Sequence, residues 1–142
     1  MVKHAVVEAK LALLADRVDQ VRLHRVASRD ALAGDRVARD LVAFNLMLAV
    51  QACTEIASHV IADEGLRAAT TLAEAFTRLG EHGVLTPATV KALSSAVGLR
   101  NVIAHGYAGI DLGMLQSAAT AGVDDLDRFA AEIARWLAAQ GA

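Results

Sequence analysis

The sequence has one cysteine, one proline and only 4% aromatic residues, and each scarcity narrows what the chain can be. A lone thiol, Cys53, rules out an internal disulfide and suits a reducing cytosol. With few aromatics and an apolar fraction made mostly of Ala, Leu and Val, the composition is that of packed helices, not of a β-rich fold. Charge of one sign is also missing. A formal net charge of -2 excludes a protein that coats nucleic acid nonspecifically, so any contact with RNA must be made at a local site. No secretory signal is read at the N-terminus, because Glu8 and Lys10 interrupt what would have to be its apolar stretch. The longest apolar run, Leu41 to Val50, contains Asn45 and is too short to span a bilayer. The expectation is a soluble, cytoplasmic protein with no membrane partner.

What is present is helical periodicity. Val7, Leu11, Leu14, Val18 and Val21 step by four and three, which predicts a first helix over 4–27. Ser28 to Asp35 reads as a turn around Gly34. Beyond it, Val37, Leu41, Phe44 and Leu48 form one stripe, and Leu46, Val50, Cys53, Ala57 and Val60 form another on the same long helix. A helix apolar on two faces must be covered on two sides, by the bundle centre or by a second subunit. Leu72, Ala75, Phe76 and Leu79 mark a short third helix closing near Gly80 to Gly83. Thr86 and Pro87 read as the N-cap and first position of a fourth, which ends near His105 with Gly106 as the left-handed residue. The last segment starts at Asp111, is loosened around Gly122 and resumes with Leu126, Phe129, Ile133 and Trp136. These elements predict one all-α domain over 1–142, an antiparallel bundle of four to five helices, paired as a homodimer. Basic and acidic residues interleave over the first forty positions, the pattern of a solvated, salt-bridged face.

One constellation carries chemistry. The stripe Val90, Leu93, Val97 continues in phase to Arg100, Ala104 and Tyr107, which puts a guanidinium where a core residue is expected. A buried unpaired charge is costly, so Arg100 must meet an acidic partner, an anionic ligand or an open cleft. His105 follows five positions on, about 7.5 Å along the helix and about 140° around it, so both side chains can border one groove.

The segment from Ser94 to Tyr107 resembles the signature of the HepT branch of the HEPN superfamily: an Arg, four residues, a His, one residue, then a Tyr. Asn101 fits the polar position after the Arg. Asp40 to Ala62, with Asn45, Gln51 and His59, resembles the family's long second helix, although Phe44, Met47 and Leu48 stand where relatives often carry polar residues. Ile110-Asp111 resembles the sequence that usually follows the tyrosine. The resemblance implies a toxin of a toxin–antitoxin pair, acting as a metal-independent endoribonuclease without a cofactor, in a homodimer that brings two copies of the motif together. It also implies a partner, a small nucleotidyltransferase antitoxin that transfers AMP to Tyr107.

The residue types agree with that chemistry. RNA brings its own nucleophile, the 2′-hydroxyl, so a site needs only a proton acceptor, a proton donor and a cation. Imidazole exchanges protons near neutral pH, which suits His105 as general acid/base. Arg100 can grip phosphate oxygens through two parallel hydrogen bonds. Asn101 either orients these groups or is a plain polar helix residue. Tyr107 either stacks on RNA and accepts AMP, or seals the bundle end. Glu55 and His59 lie four apart with no second such pair, the spacing of a local helix pair and not of a di-metal site. The competing reading is a non-catalytic HEPN-like module that binds a nucleotide or a protein.

Overall fold

The computed structural model describes residues 4–106 and 109–141. In chain order the elements are α1 (His4–His24), α2 (Arg29–Ala33), α3 (Arg36–Asp63), α4 (Leu72–Glu81), α5 (Pro87–Ala104), α6 (Leu112–Ser117) and α7 (Val123–Gln140). A π-helical stretch, Ala118–Gly122, joins α6 to α7 without a break. Four long helical runs therefore carry the fold, with α2 and α4 as short connectors, and no strand occurs among the described residues.

Cross-helix pairs fix the directions. Lys10 Nζ donates to Glu55 Oε2 at 2.6 Å while Arg17 Nη1 donates to Asn45 Oδ1 at 3.1 Å, so α1 and α3 run antiparallel. Arg22 reaches Asp127 at 2.6 Å and Asp124 at 3.1 Å, and Arg25 donates to the Ala119 carbonyl at 3.1 Å, which sets α1 antiparallel to the final run. The N-terminal cations are thus used between helices, with Arg36–Asp40 and Arg29–Asp30 as local pairs, and the expected self-contained charged face is only part of their role.

α3 is the central helix. At 28 residues it is long and apolar enough to cross a bilayer by length and composition, but most of its apolar surface is buried within the fold. Leu46, Val50, Cys53, Ala57 and Val60 are all buried, and burial pushes the Cys53 thiol up, away from the reactive thiolate. The other stripe is only partly covered: Leu41 and Leu48 are half-buried, but Val37 is 69% and Phe44 49% exposed, with the Arg17 guanidinium 5.9 Å above the Phe44 ring. Core packing centres on Phe76 and Phe129, edge to face with ring centres 5.9 Å apart. That geometry adds about 0.5–1.5 kcal/mol beyond area burial.

One segment differs in kind from expectation and two others take a definite form. The Ser28–Asp35 stretch holds a short helix, because the Ser28 hydroxyl accepts from the Ala31 amide at 3.1 Å and caps α2. α4 ends at Glu81, within the expected Gly80 to Gly83 stretch, with Gly80 inside its last turn. A Cβ there would sit 2.7 Å from Val90 Cγ2, so the glycine permits the close α4–α5 crossing, while Gly83, at φ 80°, makes the turn. The loosening near Gly122 is the π-helical stretch. Its wider turns need extra carbonyl partners, which the Thr120 hydroxyl supplies to Gln116 and Ser117 and Arg25 supplies to Ala119.

Candidate functional site

The site grows from the C-terminal end of α5. Helix 5 begins at Pro87, with its first turn held by an acid from another element: Glu132 on α7 accepts from the Thr86 amide at 2.7 Å and the Thr89 hydroxyl at 2.7 Å. Thr86 occupies the N-cap position as expected, yet its side chain makes no cap bond to the helix, and the glutamate serves that end instead. Burial alone would raise the Glu132 carboxyl. The bonds from Thr86 and Thr89, with Arg128 nearby, outweigh it and hold the group below the usual carboxylate range.

At the other end, Arg100 stands in the last turns of α5 and is half-buried, and Asn101 and His105 are exposed. Arg100 Nη1 donates to Asn101 Oδ1 at 3.2 Å. Of the three situations open to Arg100, the one visible in the fold is an open cleft, since Arg100 is among the residues lining a cavity of about 260 Å³. The core stripe of α5 passes to one side of it: Leu93, Val97 and Ile103 are buried, whereas Ala104, placed in phase with the core by the sequence, is exposed. His105 is the residue that ends α5, its amide donating to the Asn101 carbonyl at 3.2 Å. Gly106 then turns the chain at φ 90°, a conformation that costs a side-chain-bearing residue about 1 kcal/mol or more. Arg100, Asn101 and His105 therefore gather at one end of the bundle. Tyr107 lies outside the described residues.

The cleft beside Arg100 runs between α5 and the helical run from Leu112 to beyond Gly122. Its lining includes Ser95, Ala96, Met114, Ala118, Ala121 and Asp125, none of which the sequence had singled out. The available signal was the run of small residues from Ser117 to Gly122, too short of bulk to fill the space against a neighbouring helix. Glu55, by contrast, is occupied locally. Lys10 and, at 3.4 Å, Gln51 donate to it, and the Lys10 bond foremost holds its carboxyl below the usual range.

Comparison with known proteins gives a consistent picture. The family model described as "Ribonuclease HepT-like" matches residues 14–133. A protein of Shewanella oneidensis named mRNA nuclease HepT is 27% identical over 95 residues, covering 67% of this chain and 71% of its own length. One of Aphanizomenon flos-aquae named tRNA nuclease HepT is 27% identical over 110 residues, covering 78% and 75%. Among solved structures, the tri-AMPylated Shewanella oneidensis HEPN toxin in complex with MNT antitoxin superimposes with a TM-score of 0.84 at 22% identity, over 92% of this chain and 97% of that one.

Proposed function

From the premise that this chain belongs to the ribonuclease HepT-like family, we propose that it is the toxin of a toxin–antitoxin pair and an endoribonuclease whose chemistry is carried by Arg100 and His105. The observation that supports this most is the placing of half-buried Arg100 on the wall of an open cleft, with the exposed His105, which is not part of that wall, five residues on at the same end of α5. His105 takes the proton of a ribose 2′-hydroxyl, the 2′-oxygen bonds to phosphorus, and the bond from phosphorus to the 5′-oxygen breaks. The departing oxygen receives a proton, leaving a 2′,3′-cyclic phosphate and a 5′-hydroxyl. Arg100 holds the phosphate oxygens as charge accumulates on them, and Asn101, bonded to Arg100, orients it. Because the nucleophile belongs to the substrate, the route uses neither a metal-activated water nor a cofactor.

The uncovered α3 face of Val37 and Phe44 supports a homodimer, which would hide that surface. The partner is a nucleotidyltransferase antitoxin that transfers AMP to Tyr107, adding a phosphodiester anion and a base where the RNA backbone enters. The working compartment is the cytoplasm, where the buried Cys53 thiol stays reduced.

The test is RNA cleavage by the purified chain in excess chelator. Products ending in 2′,3′-cyclic phosphate or its hydrolysis product are expected; cleavage that stops with chelator, or 5′-phosphate products, would overturn the mechanism. Co-expression with the antitoxin should raise the intact mass by whole AMP units and extinguish cleavage, with Tyr107→Phe accepting none.

A further inference from the structure

The cleft beside Arg100 has a composition that a phosphate alone does not require. Leu46, Val50, Leu93 and Leu126 give it an aliphatic lining, and Ala92, Ala96, Ala118 and Ala121 are too small to fill it. Three polar side chains join that surface besides Arg100: Ser95, Ser117 and Asp125. Met114, 59% exposed, adds an unbranched thioether able to lie against a ring. Neither Val37 nor Phe44, the residues expected to meet a second copy of the chain, lines this cavity. One cation, one carboxylate and an aliphatic surface within one concave site match the parts of a nucleotide: an anionic phosphate, two apolar ring faces and an edge of hydrogen-bond donors.

Resting on the ribonuclease reading above, we propose that this cleft is a nucleobase subsite that receives the base of a nucleotide whose phosphate Arg100 holds. Asp125 is the specificity residue. It accepts a hydrogen bond from an exocyclic amino group, as acidic side chains do from the cytosine amine, so adenine, cytosine and guanine are favoured over uracil. Asp125 is itself held by Arg128 Nη2 at 3.1 Å, and Arg128 in turn donates to Thr89 at 2.8 Å, which ties the acceptor to the network at the start of α5. The π-helical stretch contributes Ala118, Ala121 and Gly122 to the wall, a placement in keeping with the frequent occurrence of such turns at binding sites.

Isothermal titration of the full chain with 5′-AMP, 5′-CMP, 5′-GMP, 5′-UMP and ribose 5-phosphate tests this without requiring turnover. The amino-bearing nucleotides should bind about tenfold more tightly than ribose 5-phosphate, with 5′-UMP between them. Ala96→Phe on α5 and Ala121→Leu on the opposite wall fill the cleft from two sides. Each should bring every nucleotide to the level of ribose 5-phosphate and leave ribose 5-phosphate itself unchanged, while Asp125→Ala should remove only the advantage of 5′-AMP, 5′-CMP and 5′-GMP over 5′-UMP. Equal binding of all five ligands by the parent, or nucleotide binding untouched by both filling variants, overturns the subsite. So does a filling variant that dissociates a dimer formed by the parent, which would assign the cleft to a second copy. RNA cleavage separates this proposal from the one beneath it: a parent that cuts RNA but binds the five ligands equally keeps the nuclease and loses the subsite. A parent that ranks the nucleotides but cuts no RNA does the reverse.

Discussion

The Thr89 hydroxyl donates to Glu132 Oε2 at 2.7 Å, joining the first turn of α5 to α7 through a carboxylate that is only 6% exposed. Arg128 completes the network, donating to Thr89 at 2.8 Å. The helix that carries Arg100 and His105 at its far end is thereby fixed in rotation at its near end. A helix is stiff over 18 residues, so a side chain placed at one end is aimed by the anchor at the other.

Glu132→Ala should therefore destabilise the fold by about 1–3 kcal/mol, because the Thr86 amide and Thr89 hydroxyl lose a buried acceptor. The fold lowers this carboxyl from the ordinary glutamate value of 4.5, so its ionised form contributes stability above that value and the contribution is lost as pH falls through the lower, folded one. Denaturant titrations at pH 7 and pH 3 should show a gap between parent and Glu132→Gln that narrows at the acidic end. A gap that is constant with pH would mean the ionised form is not what the network uses.

Arg100→Ala and His105→Ala should each lower kcat/KM for RNA by about a hundredfold or more, the usual loss when one transition-state contact of this type is removed. Both positions lie outside the buried core, so thermal melting should be nearly unchanged. Arg100→Lys keeps the charge but gives up the two parallel bonds and should recover only part of the rate. Asn101→Ala should be milder, about two- to fivefold, since its bond at 3.2 Å is neighbour to neighbour on an exposed turn. Parent-level cleavage by either alanine variant at 100 or 105 would remove that residue from the mechanism.

Phe44→Asp should convert a dimer into a monomer by light scattering at micromolar concentration and abolish cleavage with it. The position is half exposed and its ring already carries the Arg17 guanidinium, so the monomer should stay folded by circular dichroism. A dimeric, active Phe44→Asp would place the interface elsewhere.

Gly98 is exposed within α5, and a Cβ there would touch nothing within 4 Å. Its backbone is helical, so Gly98→Ala should stabilise the chain by about 0.5–1 kcal/mol, chiefly by restricting the unfolded state. Cleavage should persist. A stabilised but inactive variant would show that this turn, two residues before Arg100, has to flex during catalysis.

Much of this was legible in the sequence because it is local. Periodicity placed the four long helical runs, and the two stripes of α3 called for cover on two sides, of which the bundle supplies one in full. The spacing of Arg100 and His105 pointed to the end of α5, where both lie. What escaped depends on distant partners: the Glu132 anchor, 46 residues from Thr86, has no sequence mark, and neither does the cleft, which arises where small residues on two helices face each other. Ala104 was misassigned to the core because ideal helical phase ignores the point at which a helix outruns its neighbours.

The π-helical stretch has the character of a one-residue insertion that the helix absorbed without breaking. Each residue advances an α-helix by about 100°, so the extra one leaves α6 and α7 out of phase with each other by about that angle. Winding these same residues as a uniform α-helix, with no wider turn to take up the surplus, would swing every later side chain around the axis by about that angle. Glu132 would then leave the start of α5, and Asp125 would leave the cleft. The two halves of the last helix, on this view, answer to different neighbours, and a single surplus residue lets one continuous rod satisfy both.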